Sequence, residues 1–371
     1  MTRLRWVLAI GLAPWWSSCT ATTHADDYEV LVPPEDERLC ARCPGRPDLR
    51  HVPCPPDSAD DAPHEVIVFA MRTLELGTNA SMWSAGYNVG LDQDCSSRPG
   101  GKPIQCAARN PLSVFERLAG GVDNALATQV FYPLIQLEGS NPQSLINDSL
   151  EHGIGGVLLI VDSWNGLPDD QQVTVRLVPA LTTVGGPPAW DGTDRWIAYA
   201  DRYDPALPGM KVPDTDIKTS TAYVTGGTLV WDARSLLTFR LPFGAGGAVV
   251  DLGLADVVVT GRIVDAAAPR LLTDSVLSGV WSSFLASRLG VQLAEMITQC
   301  DLCETKRVTP VIENLIYEAP DMLLPSSKGA ATCDAISVGF LGSYVETAGV
   351  EKLQATSTLP KSCAGAEPCT R

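Results

Sequence analysis

The chain has 371 residues, of which 45% are hydrophobic and 19% charged, enough for a large folded domain and too apolar for a disordered polymer. A formal charge of −16 argues against electrostatic binding to nucleic acid or to anionic lipid headgroups. Thirty-two glycines and 28 prolines favour turns and short strands over long helices.

Arg3 and Arg5 precede the apolar stretch 6–13, which is too short to cross a bilayer, so residues 1–18 read as a secretory signal. Its end, Trp16-Ser17-Ser18-Cys19, resembles a bacterial lipobox, in which the cysteine is acylated and becomes the first residue, although Trp16 stands where Leu is usual. The competing reading is ordinary cleavage after Ala25. Thr20 is not the Asp that retains a lipoprotein at the inner membrane, so the expectation is an outer-membrane lipoprotein of the cell envelope, held by lipid on Cys19. No later apolar run reaches the ~20 residues a spanning helix needs.

There are 11 cysteines. With Cys19 lipidated an even set remains: Cys40, Cys43, Cys54, Cys95, Cys106, Cys300, Cys303, Cys333, Cys363 and Cys369. In an exported chain these read as disulfides. Local clustering suggests Cys95–Cys106 and Cys363–Cys369, with exchanges inside 40/43/54 and inside 300/303/333. The two C-x-x-C pairs raise a zinc reading, but they lie much farther apart than the ~15–20 residues of a zinc ribbon.

Residues 19–63 are rich in Pro, Asp and Arg and read as a tether; Pro44 and Pro47 forbid a helix that would align Arg38, Arg42, Arg46 and Arg50. A single globular domain is expected over 64–371. It starts with a strand near 65–70. Residues 77–111 read as loop. Leu126, Val130, Phe131, Leu134 and Leu137 recur at helical spacing behind Asp123 as N-cap, and a short helix is expected over 142–152. Strands are expected at 156–161, 173–178, 223–231, 236–241, 249–254 and 257–263, with turn chemistry at Asn165-Gly166, at 168–170 and at Gly226-Gly227. The stretch 185–220 reads as a surface excursion. Asp274 is placed to cap a helix over 275–298 whose apolar stripe is Trp281, Phe284, Leu285, Leu289, Leu293, Met296 and Ile297. The sum is a mainly β body, an antiparallel β-sandwich with a few packed helices, α+β being the alternative.

Three stretches, Gly86–Cys95, Gly120–Leu126 and Cys333–Phe340, together resemble an uncharacterised group of secreted or lipid-anchored proteins of myxobacteria and related bacteria. The resemblance spans most of 65–363 and implies no activity. Relatives of that group tend to read G-Y-x-L-D-G before the cysteine, whereas Val89-Gly90-Leu91 stands here.

Among candidate chemistries, Asp92 and Asp94 in a Gly-rich loop offer hard oxygen ligands for calcium, and Asp123 with Asn124 could complete the set from a helix start. An EF-hand is excluded, because Ser97 and Pro103 occupy the positions of its Gly and Glu. The plain alternatives are a solvated acidic loop and an N-cap. Asp162, Asp169 and Asp170 flank a hairpin as an acidic rim or as turn polars. Trp164, Trp190, Trp196, Tyr199, Tyr203 and Trp231 are core residues or a platform for sugars or a protein. Of four histidines only His152 lies inside the body, at a helix end, and no G-x-S-x-G, H-E-x-x-H or phosphate-loop motif is present. The expected function is that of a non-catalytic envelope lipoprotein binding a glycan or a protein at the surface, without nucleic acid. The alternatives are a two-carboxylate polysaccharide hydrolase and a purely structural lipoprotein.

Overall fold

Alternation drives the strands. Val173, Val175 and Leu177 are buried in the main core, while Gln172 before them and Thr174 among them are not; Arg176, on the outer face, is buried outside that core. The computed structural model describes residues 52–57, 65–77, 106, 107, 109, 124–138, 141–199, 204–207, 210–212, 222–233, 237–243, 248–265, 268–298, 302–327, 330 and 332–354. The expected signal, Cys19, most of the tether, Asp92, Asp94, Asp123, Tyr203 and cysteines 40, 43, 95, 300, 363 and 369 lie outside these residues.

The strands are β1 (Glu65–Glu75), β2 (Val157–Trp164), β3 (Asp170–Thr183), β4 (Arg195–Tyr199), β5 (Asp204–Leu207), β6 (Met210–Val212), β7 (Ala222–Thr225), β8 (Thr228–Asp232), β9 (Leu237–Phe243), β10 (Ala248–Val264), β11 (Leu271–Ser282), β12 (Ala335–Thr347) and β13 (Gly349–Gln354). Helix α1 joins a π-helical turn, Leu126–Phe131, to Tyr132–Glu138. The others are α2 (Pro142–Glu151), α3 (Ser283–Arg288), α4 (Gly290–Ile297) and α5 (Leu302–Glu318).

Eight strands close a ring in the order β1-β2-β3-β7-β8-β10-β11-β12, every pairing antiparallel, with β12 returning to β1 and β3 meeting β7. The sandwich expectation is therefore wrong, and the mainly β one stands. The fold is a closed barrel, and the reason lies in the β3–β7 pairing. That pairing joins the two strands that a sandwich would leave as edges, so the sheet has no free rim. Its partners lie about fifty residues apart across the 185–220 stretch, which periodicity cannot bridge. The barrel interior is apolar: Phe69, Trp231, Trp281 and Phe340 are fully buried, and Phe239 stacks on Phe340 at 5.6 Å. An eight-stranded ring is just wide enough for such side chains to fill.

The ring follows chain order, so alternate connections fall at alternate ends. One end has tight turns: 165–169 between β2 and β3, Gly226-Gly227 with positive φ between β7 and β8, and 265–270 between β10 and β11. All four long connections leave from the other end. They carry α1 and α2, then β4–β6, then β9, then α3–α5. A second apolar cluster lies outside the ring, where Trp196 and Ala198 of β4 and Val350 of β13 pack on Val68, Ala70, Leu158, Ile160 and Val178.

The expected helix over 275–298 is also corrected. Strand β11 runs to Ser282, Asp274 adopts φ 49° in the strand at a bulge, and only then do α3 and α4 follow. Trp281 and Leu293 are core, whereas Phe284 and Leu285 are exposed. The β-branched Thr273, Val276 and Val280 suit a strand, and apolar runs this short fit either period.

Buried tyrosines set an alkaline limit. Burial pushes the hydroxyls of Tyr344 and Tyr223 above the ordinary tyrosine range, and the charge of Asp232 adds to the shift at Tyr223. The unfolded chain releases these protons from about pH 10 while the native chain keeps them. The unfolded state then binds fewer protons, so stability is full below about pH 10 and falls as pH rises further. The denaturant midpoint should therefore decline above about pH 10, less steeply in Tyr344→Phe; a midpoint unchanged to about pH 11 would contradict this.

Candidate functional site

Loops on a rigid scaffold commonly bear function, and this barrel gathers its four long connections at one end. At this end β12 outruns β1: their register stops at Glu75↔Leu341, leaving Ala335–Phe340 with a strand partner on the β11 side only. Side chains complete the open edge. Asn124 donates from Nδ2 to the Gly339 carbonyl (2.8 Å) and accepts the Gly339 N–H at Oδ1 (3.1 Å). Asp321 accepts the Ser337 N–H (2.7 Å) and its hydroxyl (2.5 Å), and Ser337 Oγ in turn accepts the Ala125 N–H (2.8 Å). The tip of β1 is finished in the same way, by Asn147 on both sides of Leu74 (2.8 and 2.9 Å) and by Gln143 accepting from Leu76 (3.1 Å). Buried backbone groups need partners, and here side-chain amides and a carboxylate replace a missing strand.

Two of the three motif stretches meet at this edge: Asn124 and Ala125 belong to Gly120–Leu126, and Ser337 and Gly339 to Cys333–Phe340. Their shared role is architectural. Ser337 is fully buried and bonded to both neighbours, which leaves it no access to a substrate. Cys333 bonds Cys106; the local pairing Cys95–Cys106 and exchanges of Cys333 with 300 or 303 are thereby excluded. Cys54 is also disulfide-bonded. Beside the Cys106–Cys333 bond, the backbone N–H of Cys333 donates to the Ala107 carbonyl (3.1 Å), and Arg109 reaches the Tyr317 carbonyl (3.3 Å) with its guanidinium 4.7 Å from the tyrosine ring centre.

The acidic rim is consumed by turns. Asp170 accepts the N–H groups of Asn165 (2.7 Å) and Gln172 (3.0 Å), and Asp169 accepts that of Gly226 (2.8 Å). Asp162 faces Arg176, with Oδ2 to Nη2 at 3.9 Å. Arg176 is 7% exposed, and its Nη1 is buried without an acceptor. Nothing in the sequence marked this arginine except its place in an apolar-alternating strand. His152 ends α2 with Nδ1 2.7 Å from the Asp148 carbonyl, the helix-end role expected for it.

Most of the aromatic set is core. Trp164, Trp196, Tyr199 and Trp231 are buried. Trp190 is half-buried and sits at φ 58°, a conformation that a bulky residue rarely adopts. Asp194 holds it there, taking the N–H groups of Ala189 and Trp190 at 2.8 Å each. Trp196 tilts against the ring at 6.0 Å, and the Arg72 guanidinium lies 5.5 Å from its centre, so Trp190 already has neighbours that a stacked sugar would have to displace. Exposed apolar side chains lie singly on the strands and turns at Val66, Leu167, Val184 and Leu271, and four more lie on the helical connection: Phe284 is 63% exposed, Leu285 38%, Val291 48% and Tyr317 59%.

Among the described residues no group of three or more His, Cys, Asp or Glu side chains is placed to hold a metal ion, and no helix is long and apolar enough to cross a membrane. No family model, curated protein or solved structure matches this chain.

Proposed function

We propose that this chain is a non-catalytic lipoprotein of the bacterial outer membrane, anchored through Cys19, that binds a protein partner with the helical layer at the long-connection end of its barrel. The observation that carries the reading is the exposure of Phe284, Leu285 and Val291 within two consecutive helices, with Tyr317 on the third helix of the same connection. Large apolar side chains gathered on one surface element mark interaction sites more often than isolated ones do. The non-catalytic half is supported by the carboxylates of the turn rim, which are occupied with backbone N–H groups and so are poor acids or bases for a substrate.

The test is a photo-crosslinker placed at position 284 in the native envelope, with one at Leu167, in the tight turn between β2 and β3, as control. A discrete adduct from 284 and none from 167 is expected. A thermal-shift screen against a glycan panel, in calcium and in EDTA, provides the rival outcome. A ligand at 100 times its dissociation constant should add about 2.7 kcal/mol. A glycan-specific shift without an adduct at 284 would move the site away from the helices, and a calcium-dependent shift would bring Asp92, Asp94 and Asp123 into it. The lipid is checked by the mass of the native protein, which should carry acyl chains on Cys19; a mature chain starting at Asp26 would remove the anchor from the proposal.

A further inference from the structure

The ring of the barrel is not equally strong all the way round. Strands β11 and β12 are paired through ten residues on each strand, from Leu271↔Val345 to Ser282↔Ala335. Strands β3 and β7, which close the ring, are matched only at Asp170↔Val224 and Val173↔Ala222, with an irregularity between the two pairs. Fewer ladder bonds mean a lower local opening free energy, so this seam is where the closed sheet should part first.

Residues 52–57 lie across that seam. Tyr223 of β7 donates its hydroxyl to the Pro53 carbonyl at 2.6 Å, and Gln171 of β3 donates its side-chain amide to the Pro56 carbonyl at 2.5 Å. Each side of the seam thus holds the same short segment through one side chain. Val52 is buried in the outer apolar cluster with Tyr223, Val230 and Val258, side chains of β7, β8 and β10. Cys54, between the two hydrogen-bonded carbonyls, is covalently tied by a disulfide. Pro53, Pro55 and Pro56 fix φ and have no N–H, which suits a segment that offers carbonyls to side chains without adding a strand to the sheet.

We propose that Val52–Asp57 is a clasp that holds the barrel shut at the β3–β7 seam. The segment thereby ties part of the N-terminal region to both strands of the weakest joint of the ring. The clasp depends neither on lipid at Cys19 nor on a partner at α3–α4, so it can fail or hold independently of the proposed function.

Amide hydrogen exchange of the oxidised chain tests this, comparing Val52→Asp and Tyr223→Phe with the parent. The second variant removes one hydroxyl and keeps the ring, so it carries the test alone if Val52→Asp does not fold. Exchange at residues 170–173 and 222–225 is expected to rise about tenfold in either variant, while residues 276–280 and 336–340 keep the parent rate. Equal acceleration at both places would make the segment ordinary global stabilisation and overturn the clasp. Unchanged exchange at the seam would overturn it as well.

Discussion

Asp162→Asn is expected to destabilise the protein by about 3 kcal/mol, and adding Arg176→Met to it is expected to restore most of that loss. Arg176 is taken from water almost completely, and the Asp162 carboxylate 3.9 Å away is its counter-charge. Desolvating a guanidinium is expensive, and Nη1 recovers none of it through a hydrogen bond. Neutralising Asp162 leaves that charge buried and uncompensated, the costly way to break such a pair. Replacing the arginine with an apolar side chain removes the problem altogether, because Val178, two residues on and so on the same face of β3, and Ile160, its cross-strand partner on β2, already belong to the apolar cluster outside the ring. Asp162 keeps some contact with solvent, which places the figure at the lower end of the range of about 3–5 kcal/mol for broken buried pairs. The measurement is a double-mutant cycle on denaturant midpoints with the slope m held constant. A loss below about 0.5 kcal/mol for Asp162→Asn would mean that the guanidinium is satisfied without its carboxylate.

The sequence was readable where one side-chain pattern belongs to one element. Residues 65–70, 156–161 and 173–178 alternate or run apolar and are found in β1, β2 and β3, and Gly226-Gly227 makes a hairpin turn. It was not readable where partners are remote. Strand β12 went unrecognised because Ala335–Phe340 is short of alternation: it is buried on both faces, against the barrel interior and against the segment around Met322. Helix α5 was missed because Pro310 interrupts a good helical pattern, yet the helix continues through it. The closure of the ring is a pairing of β3 with β7, and no local pattern encodes it. The same holds for the site. Asp169 and Asp170 could be read as turn residues from their neighbours alone, whereas Asn124, Ser337 and Asp321 acquire meaning only when β12 outruns β1 and leaves an edge to be finished. Asn124 and Ser337, from two of the stretches singled out in the sequence, thus form an architectural joint.

That joint is also where loss of a disulfide should be felt most. Cys106 precedes α1 in the connection leaving β1, and Cys333 precedes β12 in the connection arriving from α5, so their bond ties together the two long connections that flank the open edge. The sequence separation is 227 residues, for which the chain-entropy account gives about 5 kcal/mol of stabilisation. Other disulfides in the chain shorten the free loop, so this is an upper value, and Cys106→Ala with Cys333→Ala is expected to cost about 3–5 kcal/mol. For a domain of this size that lowers Tm by about 5–8 °C. Both cysteines must be changed together, since either alone leaves a thiol free to exchange with the remaining bonds. The edge itself need not dissolve. Asn124, Asp321 and the Ala107–Thr332 bridge still connect the same elements, so far-ultraviolet circular dichroism of the double variant should match the parent at 25 °C while the midpoint falls. A midpoint within about 1 kcal/mol of the parent would show that the hydrogen-bonded edge alone closes the long-connection end. A lost β signal at 25 °C would show the opposite, that side chains can finish the edge of β12 only when the disulfide has already brought the two connections together.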